Sequence, residues 1–485
     1  MPRLSDPLVQ IIILGFLCFC CPGMFNALQG TGAYGLAPKD SDIGNHASIA
    51  LSLVFAISSL FAGALFNVVG HRALLIIGGF AYPLYISSFL AYAYIESIVF
   101  VVVASCLLGV GAGWLWCAQG AMMMGYPEEG EKGMYFSIFW AIFNCGGVLG
   151  NVVPLAIQWN DPINDLGANT GDGGASTNSY IGYMSVMVVG MILSLFLLPS
   201  NKVIRRDGSH VIRIKYLSPI TELKSVFYLF RDWRMLCLVP MFFTSNWVYT
   251  YQFTGVNALN FSPRSRNMNS MFYWLSQIIS SILFGSFLDR AEWSRPKRAR
   301  SGLILLAILL IGTWCGGIIF QSTFGPTSAI LNKDGVYVKN PADFHAIDLV
   351  RNPREYIGPF FLYIAYGCVD AMYQGYSYWL MGALTNDTSQ AARFAGFYKF
   401  VQNLGSVLAP VVQTSVIGNG PSDGYNALHA TGNGMGEIIV CVALVFTGVL
   451  GAIPVAFRAV KDHTFEIEEE ISDELHELEV EDLKA

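Results

Sequence analysis

Charge is scarce in this 485-residue chain: 13% of its residues are Asp, Glu, Lys or Arg, against 54% hydrophobic. A soluble protein of this size with so little charge would expose too much apolar surface. Chemistry-bearing motifs are missing as well. There is no Gly-Lys-Ser/Thr phosphate loop, no dinucleotide fingerprint and no His-Glu-x-x-His. The seven histidines are scattered, and none pairs with a cysteine at metal-ligand spacing. An ATP-driven pump and a metalloenzyme are therefore disfavoured. No enzymatic activity, cofactor or metal is expected. Polar loops lack cysteine too: all ten lie in apolar runs, which argues against a disulfide framework. Cys18, Cys20 and Cys21 have no second pair for zinc and read as small membrane hydrophobes.

What is present is hydrophobic length. Roughly twelve runs of about 20 apolar residues follow one another, each long enough to span a bilayer. Glycine inside them lets helices approach closely. The first run follows a single basic residue, Arg3, and carries Pro22 and Asn26, so it reads as a retained helix and not a cleavable leader. Lys202, Arg205, Arg206, Arg213, Lys215, Lys224 and Arg231 crowd the central loop, and Arg290, Arg295, Lys297, Arg298 and Arg300 a second one. The opposite loops at 158–179 and 418–435 have no Lys or Arg. This bias predicts cytoplasmic termini. Without interleaved aromatics, the basic loop reads as charge facing the anionic leaflet, with the lipid bilayer and not nucleic acid as its partner. The expected organisation is an N-terminal bundle (1–199), a cytoplasmic linker (200–233), a C-terminal bundle (234–457) and an acidic, solvated tail (458–485). Nothing in the sequence chooses between plasma membrane and an endomembrane.

The two halves repeat. NCGGVLGNVV (144–153) returns as NLGSVLAPVV (403–412), Asn26-Ala27-Leu28 as Asn257-Ala258-Leu259, and Gln119-Gly120 as Gln374-Gly375. Matched halves usually mark a transporter or a protein descended from one.

The loop after the second run reads GALFNVVGHRALL (63–75) and resembles the signature of the major facilitator superfamily. Gly63, Leu65, Gly70 and Arg72 match, and Asn67 stands where that family has Asp. A second copy, GSFLDRAEWSRPKRAR (285–300), keeps Gly285 and the acid Asp289, followed by Arg290. The resemblance implies a cytoplasmic gate in which glycine permits close packing and the acid pins the closure. The change to Asn67 is expected to weaken that pin in the first half. CCPGMFNALQGTG (20–32), EKGMYFSIFWAIFNCGGVLGN (131–151), YQFTGVNALN (251–260) and RFAGFYKFVQNLG (393–405) are similar to the Unc ninety-three-like branch of that superfamily. This resemblance implies twelve helices in two pseudo-symmetric six-helix bundles. It also implies either transport or a role as partner of a channel or receptor subunit.

In that superfamily the first and fourth helices of each half line the cavity. The carry-over marks Asn26, Gln29, Trp116, Gln119, Asn257, Asp370, Tyr373 and Gln374 as candidate cavity residues, with Trp114, Asn246, Tyr249 and Gln252 on the same helices. Amides facing lipid are costly, so they point inward either to line a cavity or to bond helices together. Asn144 and Asn403 favour the second role. Asp370 is the one acid well inside an apolar run, and Gln374, four residues on, shares its helix face. It is the candidate proton or cation coupling site; the alternatives are an ion pair with a base such as Lys399, or burial as a neutral acid. The expected activity is secondary transport of a small, largely neutral organic solute by alternating access. Asn260, in a sequon, is a weak glycosylation candidate.

Overall fold

A computed structural model of the chain describes residues 3–30, 41–128, 130–159, 177–205, 219–258, 260–324, 329–331, 337–339, 346–412 and 435–463. The acidic tail beyond residue 463 and most of the loops at 158–179 and 418–435 lie outside them.

Six helical segments form the first bundle. α1 runs Pro7–Cys18, passes through a π-helical turn at Phe19–Gly23 and resumes as Met24–Gly30. α2 is Ser41–Val69, α3 His71–Ile95, α4 Ile98–Gly125, α5 Lys132–Gln158 and α6 Thr177–Ser194. A short linker helix, Pro219–Tyr228, precedes the second bundle. There, α7 is Trp233–Tyr249 with a π-helical continuation Thr250–Ala258, α8 Pro263–Leu288, α9 Arg295–Phe324, α10 Pro353–Leu384, α11 Thr388–Val412, and α12 Met435–Pro454 ending in a π-turn at Val455–Ala459. The matched helices α1 and α7 both widen to π geometry beside the repeated Asn-Ala-Leu, a distortion common where helices carry function.

Local chemistry explains the boundaries. Proline opens α1, α8 and α10, where its missing N–H costs nothing. Gly70, at φ +86°, makes the break between α2 and α3 that an L side chain would resist. Asp232 starts α7 by accepting the Arg234 backbone N–H at 2.9 Å.

Among the described residues, eight helices are long and apolar enough to cross a membrane by length and composition. The others are α6, α7, α10 and α11. α10 and α11 have the length, but polar side chains dilute them, and those side chains are buried between helices. On the face away from the linker, a two-stranded hairpin pairs Ala329–Leu331 with Tyr337–Lys339. Nearby, Asp348 accepts bonds from Arg264 (2.6 and 2.8 Å), Ser262 (2.5 Å) and the Val350 and Arg351 backbone. Burial raises its carboxyl, but these bonds outweigh it and hold Asp348 well below the usual carboxylate range.

The bundles meet along two crossings, α2 with α11 and α5 with α8, related by the repeat. Each relies on the absence of a Cβ. A Cβ on Gly63 would lie 2.7 Å from the Arg393 Cα, and one on Gly285 would lie 2.5 Å from the Gly133 carbonyl oxygen.

Candidate functional site

Asp370, 5% exposed, lies where α7, α8 and α10 converge. Its Oδ2 accepts from Gln277 Nε2 (2.8 Å), Tyr249 Oη (2.9 Å) and Tyr273 Oη (3.2 Å), and its Oδ1 from Gln374 Nε2 (3.0 Å). All four donors are uncharged. The helical spacing of Tyr273 and Gln277, and of Asp370 and Gln374, puts each pair on one face. A carboxylate in such surroundings needs every one of these bonds to remain charged away from water.

A buried cation sits nearby, equally isolated from water. Lys399 on α11 is 5% exposed and donates to Gln402 Oε1 at 2.7 Å. Gln402 Nε2 in turn reaches Gln374 Oε1 at 3.3 Å, Asn246 Oδ1 at 2.9 Å and Tyr398 Oη at 3.0 Å. Acid and base are thus joined through two glutamines and not by a direct contact. The ion-pair alternative takes this indirect form. The Lys399 ammonium also lies over three aromatic rings, 4.7 Å from Trp116, 5.0 Å from Tyr398 and 5.6 Å from Tyr378.

Two first-bundle tryptophans hold the ends of this second-bundle network. Trp116 on α4 faces the ammonium. Trp140 on α5 donates its indole N–H to Gln277 Oε1 at 2.9 Å. Any motion that parts the bundles here must break both contacts.

The remaining candidates divide. Gln119 crosses the bundles, accepting from Tyr378 Oη at 3.3 Å. Asn257 stays in its own bundle, bonded to Asn269 (2.9 Å), Ser270 (3.1 Å) and the Arg266 carbonyl (3.2 Å). Tyr373 turns away from Asp370 and packs on Gly448 of α12. Asn26 is half-buried on α1, and the side chain of Gln29 lies outside the described residues. Asn144 and Asn403 both bond the carbonyl four residues back, at Trp140 (2.8 Å) and Lys399 (2.7 Å). The Asn260 amide is buried and donates to the Gly255 and Val256 carbonyls (2.9 and 3.0 Å), so the nitrogen a glycan would need is engaged.

On the linker side, Asp289 accepts the backbone N–H groups of Gly133 (2.9 Å) and Met134 (2.6 Å), the first turn of α5. It acts as an N-terminal cap supplied by the other bundle. Lys132 returns the favour to α10: its ammonium holds the Gly382 carbonyl, the Thr385 carbonyl (3.0 Å) and Asn386 Oδ1 (2.8 Å). Arg72 instead caps α6 of its own bundle at the Leu195 carbonyl (2.9 Å), and Arg290 lies 5.0 Å from the Trp293 ring centroid.

Two matched six-helix bundles, joined by a linker and closed on the linker side, define a helical membrane protein of the major facilitator type. A proton:xylose symporter of that superfamily superposes with TM-score 0.61 at 11% identity, over 96% of this chain and 98% of that one. Residues 40–409 match the family described as Ion channel regulatory protein UNC-93. UNC93-like protein 1 of Arabidopsis thaliana is 40% identical over 85% of each chain. UNC93-like protein C922.05c of Schizosaccharomyces pombe is 37% identical over 96% of this chain and 85% of its own length. The chain belongs to the UNC-93 family.

Proposed function

We propose that the protein is a secondary transporter of a small, largely neutral organic solute, working by alternating access with Asp370 as the proton or cation coupling site. One observation carries the reading: a membrane-buried carboxylate held only by uncharged donors, in a network whose ends belong to the opposite bundle. Gaining or losing a charge there would change bonds that span the moving interface. The Lys and Arg bias supports a cytoplasmic linker and cytoplasmic termini. The test is reconstitution into liposomes containing a pH-sensitive dye. A panel of uncharged polyols, amides and nucleosides is then offered under an imposed proton gradient. A transported solute should carry protons inward. Asp370→Asn should abolish gradient-driven accumulation while sparing solute exchange. Unchanged pH dependence in that variant rejects the coupling role.

The family's description as an ion channel regulatory protein favours a second reading, a non-transporting partner of a channel or receptor subunit. Purification in mild detergent separates the two. A channel or receptor subunit at one-to-one stoichiometry supports the partner role, and the buried network then serves packing.

A further inference from the structure

The α2–α11 crossing lacks two charges that its counterpart, the α5–α8 crossing, uses. The register that sets Gly63 on Gly285 also sets Asn67 on Asp289. The register that sets Asn144 on Asn403 sets Lys132 on Ala391 and Met134 on Arg393. At the α5–α8 crossing, Asp289 caps α5 and Lys132 caps α10. At the α2–α11 crossing, Asn67 carries no charge and Ala391 has no side-chain donor to offer.

The linker supplies both. Glu222, on the linker helix and 1% exposed, accepts from Asn67 Nδ2 at 2.8 Å. It also accepts from Arg393 Nη2 at 2.9 Å on both carboxylate oxygens, and from Nε at 3.1 Å. Arg205, at the other end of the linker, donates to the Gly125 carbonyl (2.7 Å) and the Tyr126 carbonyl (3.3 Å). These end α4, the counterpart of α10. The missing acid and the missing cap are thus restored from a segment covalently tied to both bundles and belonging to neither.

We propose that the linker helix is a detachable latch: Glu222 performs the gating role of the acid absent at Asn67, clamping α2 of one bundle to α11 of the other. Opening on the linker side then requires this helix to let go of Arg393 or Asn67. The gate's strength becomes adjustable by whatever binds or modifies the linker. A gate acid fixed within α2 could not be reached that way. The inference does not rest on the transport reading, because a latch holds two bundles together whether or not solute passes between them.

Cys117 offers a built-in reporter. It is buried on α4, and its thiol reaches the Ala392 carbonyl at 3.2 Å, directly behind this crossing. The experiment is N-ethylmaleimide labelling of the full chain in mild detergent, read by peptide-resolved mass spectrometry and normalised to the same chain unfolded in dodecyl sulfate. Glu222→Gln should speed Cys117 labelling by at least about tenfold, the usual least effect of losing a hydrogen bond to a charged group. Asn67→Asp alone should also speed it, by setting two carboxylates against each other. The double variant should return toward the wild-type rate, since the acid is then carried by α2 itself. That reversal cannot arise from general misfolding. Labelling unchanged in Glu222→Gln, or a double variant at least as fast as the faster single one, overturns the proposal.

Discussion

The Lys399 ammonium lies 4.7 Å from the centroid of the Trp116 ring, and this contact joins the two bundles. Its importance comes from what lies behind it. Lys399 is linked through Gln402 and Gln374 to Asp370, and Asp370 through Gln277 to Trp140 of the first bundle. Seen from the first bundle, the polar chain is gripped at both ends by a tryptophan. Its charges are therefore sensitive to the distance between the bundles.

The grip should be measurable as a coupling energy. A cation over an indole in a desolvated site contributes about 1–2 kcal/mol. Trp116→Leu and Lys399→Met, alone and together in a denaturation series in mild detergent, should show a non-additive term of about 1 kcal/mol. Additive losses would mean that the ring and the ammonium are merely neighbours.

The glycine crossings make a different demand. A Cβ on Gly63 or Gly285 would meet backbone at 2.7 or 2.5 Å, and backbone cannot rotate out of the way. Gly63→Val and Gly285→Val should each destabilise the closed packing by about 1–3 kcal/mol, the usual cost of overfilling a tight site. Gly312, with no heavy atom within 4 Å of its notional Cβ, is the control. Gly312→Ala should leave thermal stability unchanged or raised. Equal losses at all three positions would show that the crossing does not set the effect, since Ala and Val both exceed Gly in helix propensity.

Much of the architecture was legible because the bilayer imposes it. Apolar length marks the spans, and the repeat marks the halves. Gly63 and Gly285 were readable as close-packing sites because both copies of the motif retain them. Asp370 and Gln374 were readable as a pair because four residues return a helix to the same face. The rest of the network was harder to see. Tyr273, Gln277 and Gln402 lie on α8 and α11, helices that the family resemblance leaves out of the cavity, and Lys399 on α11 entered only as a possible ion-pair partner of Asp370. The spacing of Tyr273 with Gln277 was the available signal. Repetition also promised more than it delivered. Asn257 bonds within its bundle while Asn26 is half-buried, because matched positions share a register but not the neighbours on adjacent helices. Glu222 was hidden by its setting: an acid in a basic loop reads as solvated until the missing acid at Asn67 is set against it.

Asn260 gives a simple check. Its side-chain nitrogen donates to two carbonyls, and the residue is 5% exposed. Protein from a glycosylating host should run unchanged on a gel after treatment with an amide-cleaving glycosidase, and Asn260→Gln should not alter its mobility. A mobility shift removed by that substitution would show that this segment is modified before it packs.

The Asp289 cap predicts a dependence on pH. Burial outweighs the Gly133 and Met134 N–H groups, Arg298 and Trp379, and leaves its carboxyl raised from 3.8 to about 6. When the gate opens and Asp289 meets water, its affinity for a proton falls toward the ordinary value. The closed state therefore binds the proton more tightly than the open one. Its advantage is complete below pH 4 and is lost as pH rises through 6. Closure on the linker side should thus be firmer at pH 5 than at pH 7, read as slower Cys117 labelling relative to the unfolded chain at the same pH. In Asp289→Asn the corrected rates at the two pH values should converge. An unchanged difference in that variant would assign the pH response to another group, with Asp370 the next to test by the same comparison.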